Sequence, residues 1–271
     1  EANNSHEKPV TTAKYQSIKD LLKRTKVHIF DECHMAACET IQEIHKAINP
    51  EQIYGMSASP WRDDGADLLI ESVLGRNIVD ISASYLIDRG FLVPPVIKFI
   101  EVPRIKGISR NYQTVYKEYI VEHEERNNLI VRGAEKLVQL NYKPLILFNT
   151  IHHGDIIYEK LKNNVSCSLI SGKDDSEIRE KAQEAIANDK IKSIVASKIF
   201  DIGVDMPSVS GLILAGGGAS SVRALQRVYR AIRKHPGKKQ AAIVDFADQA
   251  PHLEEHSSER YRIYKTEPSF Q

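Results

Sequence analysis

"KVHIFDECHMAAC", residues 26–38, is an apolar run that stops abruptly at two adjacent acids and a histidine. Lys26, Val27, His28, Ile29 and Phe30 read as a short buried strand. Asp31 and Glu32 then fall where that strand leaves the sheet. Open α/β sheets place their ligand sites there, in the crevice beyond the carboxyl ends of parallel strands. One acid in that position can hold a metal ion, and a second can orient or deprotonate a water. A strand followed by a solvated acidic turn is the plain alternative, and a short stretch alone does not choose between them.

Outward from this strand, apolar strand-like runs alternate with amphipathic helix-like runs, the pattern of a parallel sheet covered by helices. Residues 1–82 hold the helix-like YQSIKDLLKRT (15–25), the strand VHIF, a helix from about Cys38 to Ala47, the strand QIYGMSAS (52–59) and a surface helix ending at Gly75. That is only part of an α/β domain. Ser84 reads as a helix N-cap, Gly90 as its stop, and Pro94-Pro95 as a rigid lead-in to a new strand. Residues 83–271 then offer strands VIKFIEV, PLILFNT, VSCSLISG, KSIVAS, SGLILAG and AAIVDF. Between them run a long helical stretch from about Tyr112 to Leu140, helices GDIIYEKLKN and SEIREKAQEAIAN, and a basic helix from Ser221 to Lys234. This is a complete doubly wound domain.

The 271 residues are 42% hydrophobic and 27% charged, an ordinary globular balance. A net charge of +1 sets up no global field for nucleic acid, so any such surface has to be local. Cys33, Cys38 and Cys167 cannot build a disulfide framework and fit a reducing compartment. Cys33, His34 and Cys38 lack a second ligand pair at zinc-site spacing. No apolar run approaches the ~20 residues of a membrane span, and the polar start EANNSHEKPV carries no secretory signal. The expectation is a cytoplasmic protein with no membrane partner. Glu1 in place of Met adds the expectation of an upstream part lost by processing, cloning or splitting.

Two later stretches carry chemistry. In ASKIFDIGVDMPSV (196–209) a buried strand enters a loop with Asp201, Gly203 and Asp205. Gly203 permits a backbone turn closed to other residues, and Asp205 can accept hydrogen bonds from a ribose or an arginine. In SSVRALQRVYRAIRKHPGKK (220–239), Val222, Leu225, Val228 and Ile232 recur at helical spacing, so one face packs on the sheet. Gln226, Arg230 and Arg233 share another side. No acid occurs between Asp205 and Asp245, whereas Arg223, Arg227, Arg230, Arg233, Lys234, Lys238 and Lys239 all do. Seven cations without a counter-charge imply an external anion, and guanidinium forks suit phosphate.

DECH (31–34), SAS (57–59), ILFNT (146–150), FDIGVDMP (200–207) and QRVYRAIR (226–233) match, in order, motifs II to VI of the DExH helicases of superfamily 2. TTAKYQSI (11–18) resembles the segment before the acidic box, and ERNNLI (125–130) a stretch before motif IV. The chain is similar to this family over nearly its whole length, most of all to the phage recombination helicases of the UvsW type and the repair helicases of the xeroderma-B type. The resemblance implies an α/β fold of RecA-like parallel sheets, with a partial first lobe and a complete second one. It implies that Asp31 positions Mg²⁺ on ATP through water and that Glu32 polarises the attacking water. His34, Ser57, Ala58 and Ser59 would couple the ATP site to the other lobe and the nucleic acid. Arg230 and Arg233 would reach across the interlobe cleft as arginine fingers, with Gln226 beside them, and Gly203 and Asp205 would touch the nucleotide. Phe148, Asn149, Thr150, Ser197 and Gly203 would touch the backbone of the tracked strand, a contact indifferent to sequence. Such hydrolysis needs positioned charge more than covalent chemistry.

The implied function is an ATP-dependent DNA helicase or translocase that remodels branched or duplex DNA in recombination or repair, moving 3′ to 5′. An RNA helicase, a restriction-enzyme motor subunit, or a non-catalytic nucleic-acid-binding module are the alternatives. Two departures from the family pattern stand out. Tyr229 replaces the usual glycine of motif VI and is expected to crowd the arginine side. No G-x-x-x-x-G-K-[ST] occurs anywhere: ISGKDDS (170–176) lacks the preceding loop glycine, and GGGAS (216–220) has no lysine. Phosphates therefore have no P-loop cradle in these residues. The expected partners are single-stranded or branched DNA and a P-loop segment supplied in cis or by another chain.

Overall fold

β1 (Val27–Asp31) and β2 (Gln52–Met56) run parallel with Asp31 level with Met56. The computed structural model describes residues 20–57, 67–104, 111–197, 206–218 and 221–270. The chain divides into two units, residues 1–80 and 81–271. In the first, a 3-10 turn (Cys33–Ala37) and α1 (Glu39–Ile48) make the crossover that a parallel pair requires. α1 closes on Asn49 in the left-handed region (φ 46), a conformation that asparagine tolerates. α2 (Asp67–Leu74) lies against the turn. Gly55 permits this approach, because a Cβ there would sit 2.6 Å from Leu74 Cδ1 and 3.0 Å from Cys33 Cβ.

The expectation of a buried first strand is corrected. Val27, Ile29, Tyr54 and Met56 share one face of the two-stranded sheet and are 47%, 62%, 47% and 54% exposed. Parallel sheets normally bury both faces, and none of the described residues covers this one.

The second unit is a six-stranded sheet built from β3 (Pro95–Glu101), β4 (Pro144–Phe148), β5 (Cys167–Ile170), β6 (Ser193–Ser197), β7 (Gly211–Ile213) and β8 (Ala241–Ala247). All pairs are parallel, in the order β3-β8-β7-β4-β6-β5. Its helices are α3 (Ala83–Asp88), α4 (Tyr112–Val115), α5 (Glu124–Gln139), α6 (Ile151–Leu161), α7 (Ser176–Ala187), α8 (Ser221–Ala231) and α9 (Leu253–Tyr264). Alternate residues of β4 enter different cores. Leu145 and Leu147 pack with Leu225, Val228 and Ile186, whereas Ile146 and Phe148 pack with Ile130, Ala134 and Ile157. Burial on both faces is why these strands read as continuous apolar runs. β5 and β6 lie to one side of β4, with β7 and β8 on the other, so the crevice at the carboxyl ends of β4 and β7 is the switch point of the sheet.

Several boundaries differ from the expectation. Ser82, not Ser84, caps α3, its hydroxyl accepting from the Tyr85 amide at 3.1 Å. Ser84 is buried inside the helix and donates to Glu267 at 2.9 Å. Gly90 does follow the helix with φ +72. The long helical stretch is broken: α4 runs into a π-helical turn (Tyr116–Val121), and His123 then caps α5 by accepting from the Arg126 amide at 2.9 Å. The basic helix stops at Ala231. Arg233 lies beyond it, in an antiparallel bridge to Leu92, so helical spacing groups Gln226 with Arg230 but not with Arg233. α9 was not expected at all. Among the described residues no helix is long and apolar enough to cross a membrane.

Candidate functional site

The register of β1 and β2 brings the acidic box and the start of the SAS stretch together. Asp31 ends β1, and Ser57 directly follows Met56, its partner in the ladder. Glu32 adopts φ 54, ψ 50, and its amide donates to Asp31 Oδ1 at 2.9 Å. A left-handed glutamate is strained by roughly 1–2 kcal/mol, and such strain gathers at functional sites. His34 Nδ1 lies 3.2 Å from Ser57 Oγ and 3.3 Å from Glu32 Oε2, so one imidazole joins the acid to the serine. Ala58 and Ser59 lie outside the described residues. The Asp31 and Glu32 carboxylates are exposed hard oxygen donors, the kind Mg²⁺ takes one or two of alongside substrate phosphates. Among the described residues no group of three or more histidines, cysteines or acids could hold a metal ion. A cation at this acid pair therefore needs further oxygens from a ligand.

At the switch point of the second unit, Asn149 Nδ2 donates to the Gly216 carbonyl at 2.8 Å and to the Tyr116 hydroxyl at 2.9 Å. Tyr116 donates to the same carbonyl at 2.7 Å, and burial pushes its hydroxyl up to about 12. The neighbouring carbonyls are held by buried guanidiniums. Arg126 donates to Ala215 O (2.6 Å) and pairs with Asp248 at 2.7 Å, while Arg260 donates to Gly218 O (2.8 Å) and forks onto Asp245 at 2.9 Å. Gly216 admits no side chain, because a Cβ would meet Asn149 Cγ at 2.7 Å. Thr150 is exposed at the N-cap position of α6 with no side-chain capping bond, and Ser197 sits level with Phe148 at the end of β6.

Phe148 is corrected. It is 1% exposed and lies under Gly154, so its side chain belongs to the core and cannot touch a strand. Gly203 and Asp205 lie outside the described residues. Gln226 and Arg230 are half-buried on α8, and Arg233 is exposed past its end. The seven cations do not all await an external anion. Lys234 donates to the Gly90 carbonyl at 2.9 Å, and Lys238 donates to Val209 O at 2.5 Å and Ala231 O at 2.6 Å. Counting acids overlooked the carbonyls at a helix C-terminus, which lysine satisfies well. Tyr229, expected to crowd the arginines, donates to Glu267 at 3.1 Å and sets its ring against Phe270.

Residues 127–235 match the helicase conserved C-terminal domain. The second unit holds the whole of this match. The chain is 26% identical over 246 residues to putative helicase 22 of Sulfolobus islandicus filamentous virus, covering 85% of this chain and 44% of that protein. It is 28% identical over 257 residues to the ATP-dependent DNA helicase uvsW of Enterobacteria phage T4, covering 89% and 50%. The crystal structure of T4 UvsW superposes with a TM-score of 0.53 at 24% identity, over 93% of this chain and 55% of that one. The chain thus spans about half the length of these curated relatives.

Within the second unit, sequence reasoning passed over Tyr116, Arg126, Asp245, Asp248 and Arg260. Two of them left a signal. Arg126 is in phase with Ile130 and Ala134 on the buried face of α5, and Asp245 interrupts the apolar run of β8. A buried charge at either place demands a partner.

Proposed function

We propose that the chain is the tail half of the first lobe and all of the second lobe of an ATP-dependent DNA helicase or translocase, one that remodels branched or duplex DNA in recombination or repair. The observation that carries the reading is the union, on one chain, of a strained acid pair at a strand end with a helicase C-terminal domain. Through water, Asp31 would hold Mg²⁺, which would supply charge neutralisation at the phosphates. Glu32 orients and polarises the attacking water, and His34, hydrogen-bonded to Ser57, relays the state of the acid pair. Arg230 and Arg233 stabilise charge on the transferring phosphoryl group. Thr150 and Ser197 meet the strand, and the protein works inside the cell. The uncovered face of Val27, Ile29, Tyr54 and Met56 supports a further α/β layer that carries the phosphate loop, in cis or in another chain.

ATP turnover by the purified chain tests this reading. Hydrolysis is expected at background with or without DNA. DNA-stimulated turnover that Glu32→Gln abolishes would show that no separate P-loop layer is required. Binding to single-stranded DNA, followed by fluorescence anisotropy, is expected to weaken steeply as salt rises. Tight, salt-insensitive binding would sink the strand-tracking role.

A further inference from the structure

Both protons of the Asn149 amide are already engaged within the protein, one by the Tyr116 hydroxyl and one by the Gly216 carbonyl. The amide cannot turn over, because Oδ1 would then face the Gly216 carbonyl, and two acceptors repel. Tyr116 cannot release its share either. Its single proton goes to the same carbonyl, so toward Asn149 it can only accept. The carbonyl is itself held in place, with Arg126 on Ala215 O before it and Arg260 on Gly218 O after it. What remains is Asn149 Oδ1, an acceptor with no partner among the described residues, on a half-buried side chain at the switch point of the sheet.

A phosphodiester has no proton to give at neutral pH. An acceptor-only Asn149 therefore cannot grip a strand by its phosphates, which is the role its position in the motif implies. We infer that Asn149 reads a hydrogen-bond donor of the bound strand, either a base N–H or a ribose 2′-hydroxyl, and so determines specificity. The inference rests on the reading of this end of the sheet as the nucleic-acid interface.

Anisotropy titrations of the full 271-residue chain with three short labelled strands test it: oligodeoxyadenylate, an abasic deoxyribose-phosphate strand, and an abasic ribose-phosphate strand. Asn149→Ala is expected to weaken binding of a donor-bearing strand by roughly five- to tenfold, the worth of one hydrogen bond. Binding of the abasic deoxyribose strand and the salt slopes should not change. Loss on oligodeoxyadenylate assigns the donor to the base, and loss on the abasic ribose strand assigns it to the 2′-hydroxyl. Equal loss on the abasic deoxyribose strand, or a salt slope shallower by about one, makes Asn149 a phosphate contact and overturns the inference. So does no loss on any strand.

Asn149→Ser, whose hydroxyl can still donate to the Gly216 carbonyl, is run beside it in case alanine loosens the loop. Tyr119→Phe, which loses a part-buried hydrogen bond to Pro103 O (2.6 Å), controls for lost stability alone. If this control loses as much affinity as the Asn149 variants at the same melting temperature, the effect is structural and the inference fails. If the unaltered chain binds none of the three strands, the nucleic-acid reading itself falls.

Discussion

His153 is fully buried, with Nε2 2.9 Å from Asn127 Oδ1 and Nδ1 without a partner among the described residues. Asn127 donates its amide to Val121 O, so its Oδ1 accepts and Nε2 carries the proton. Burial, and then the charge of Arg126, lower the imidazole to about 3. An unfolded histidine titrates near 6.5. Between those values the unfolded chain binds a proton that the folded chain refuses, so stability is lost as pH falls from about 6.5 toward 3, by up to about 1.4 kcal/mol per unit. Urea unfolding across that range should show a flatter pH dependence in His153→Gln; an unchanged slope would count against the assignment. The next residue tests packing. Gly154→Ala improves helix propensity by about 1 kcal/mol, yet the new Cβ would lie 2.5 Å from the Phe148 ring. Overpacking of about 1–3 kcal/mol wins, and the melting temperature should fall. A rise would mean that the ring can move aside.

α9 shows why one element was invisible in the sequence. Its buried positions are Leu253, Ser257, Arg260 and Tyr264, correctly spaced for a helix face but half of them polar or charged. Hydropathy alone cannot see such a face, because its anchor is a guanidinium-carboxylate pair. Arg260→Ala strands Asp245, which is fully buried and, among the described residues, keeps only the Tyr264 hydroxyl at 3.1 Å as a side-chain donor. Breaking a buried pair costs about 3–5 kcal/mol. Lys181→Ala removes an exposed i,i+4 pair with Glu177 and should cost under about 0.5 kcal/mol. Denaturant midpoints for the two variants decide it, and similar values would refute the anchoring role. The broken helix before α5 has a comparable cause: the imidazole cap of His123 is a local hydrogen bond that periodicity does not register.

For the whole molecule the decisive measurement is turnover in a protein that also carries a P-loop. Arginine fingers contribute ~10³–10⁵ in rate, roughly 4–7 kcal/mol of barrier. Arg230→Ala and Arg233→Ala should each abolish turnover while ATP affinity stays within about tenfold, the mark of an interaction made in the transition state. Arg227, within electrostatic reach of Tyr264, should matter much less. Arg233 stands past the helix end, on the bridge to Leu92, so its position depends on that bridge as well as on α8. Normal turnover in both variants would remove the finger role from this segment.

The amino-acid sequence by itself determined the parallel α/β class, the acids at a strand end, the order of the motifs and the lack of a phosphate loop. Each of these is a local matter of period, spacing or residue type. Tertiary structure alone decided which polar groups remain available to a ligand. Tyr116 meets Gly216 across 100 residues of chain, and Ser84 meets Glu267 across 183. A hydrogen-bonding proton engaged by so distant a partner leaves no trace in local sequence. That is why Asn149 could be found by its motif but not assigned its chemistry, and why Lys238 could be counted as a free cation when it caps a helix.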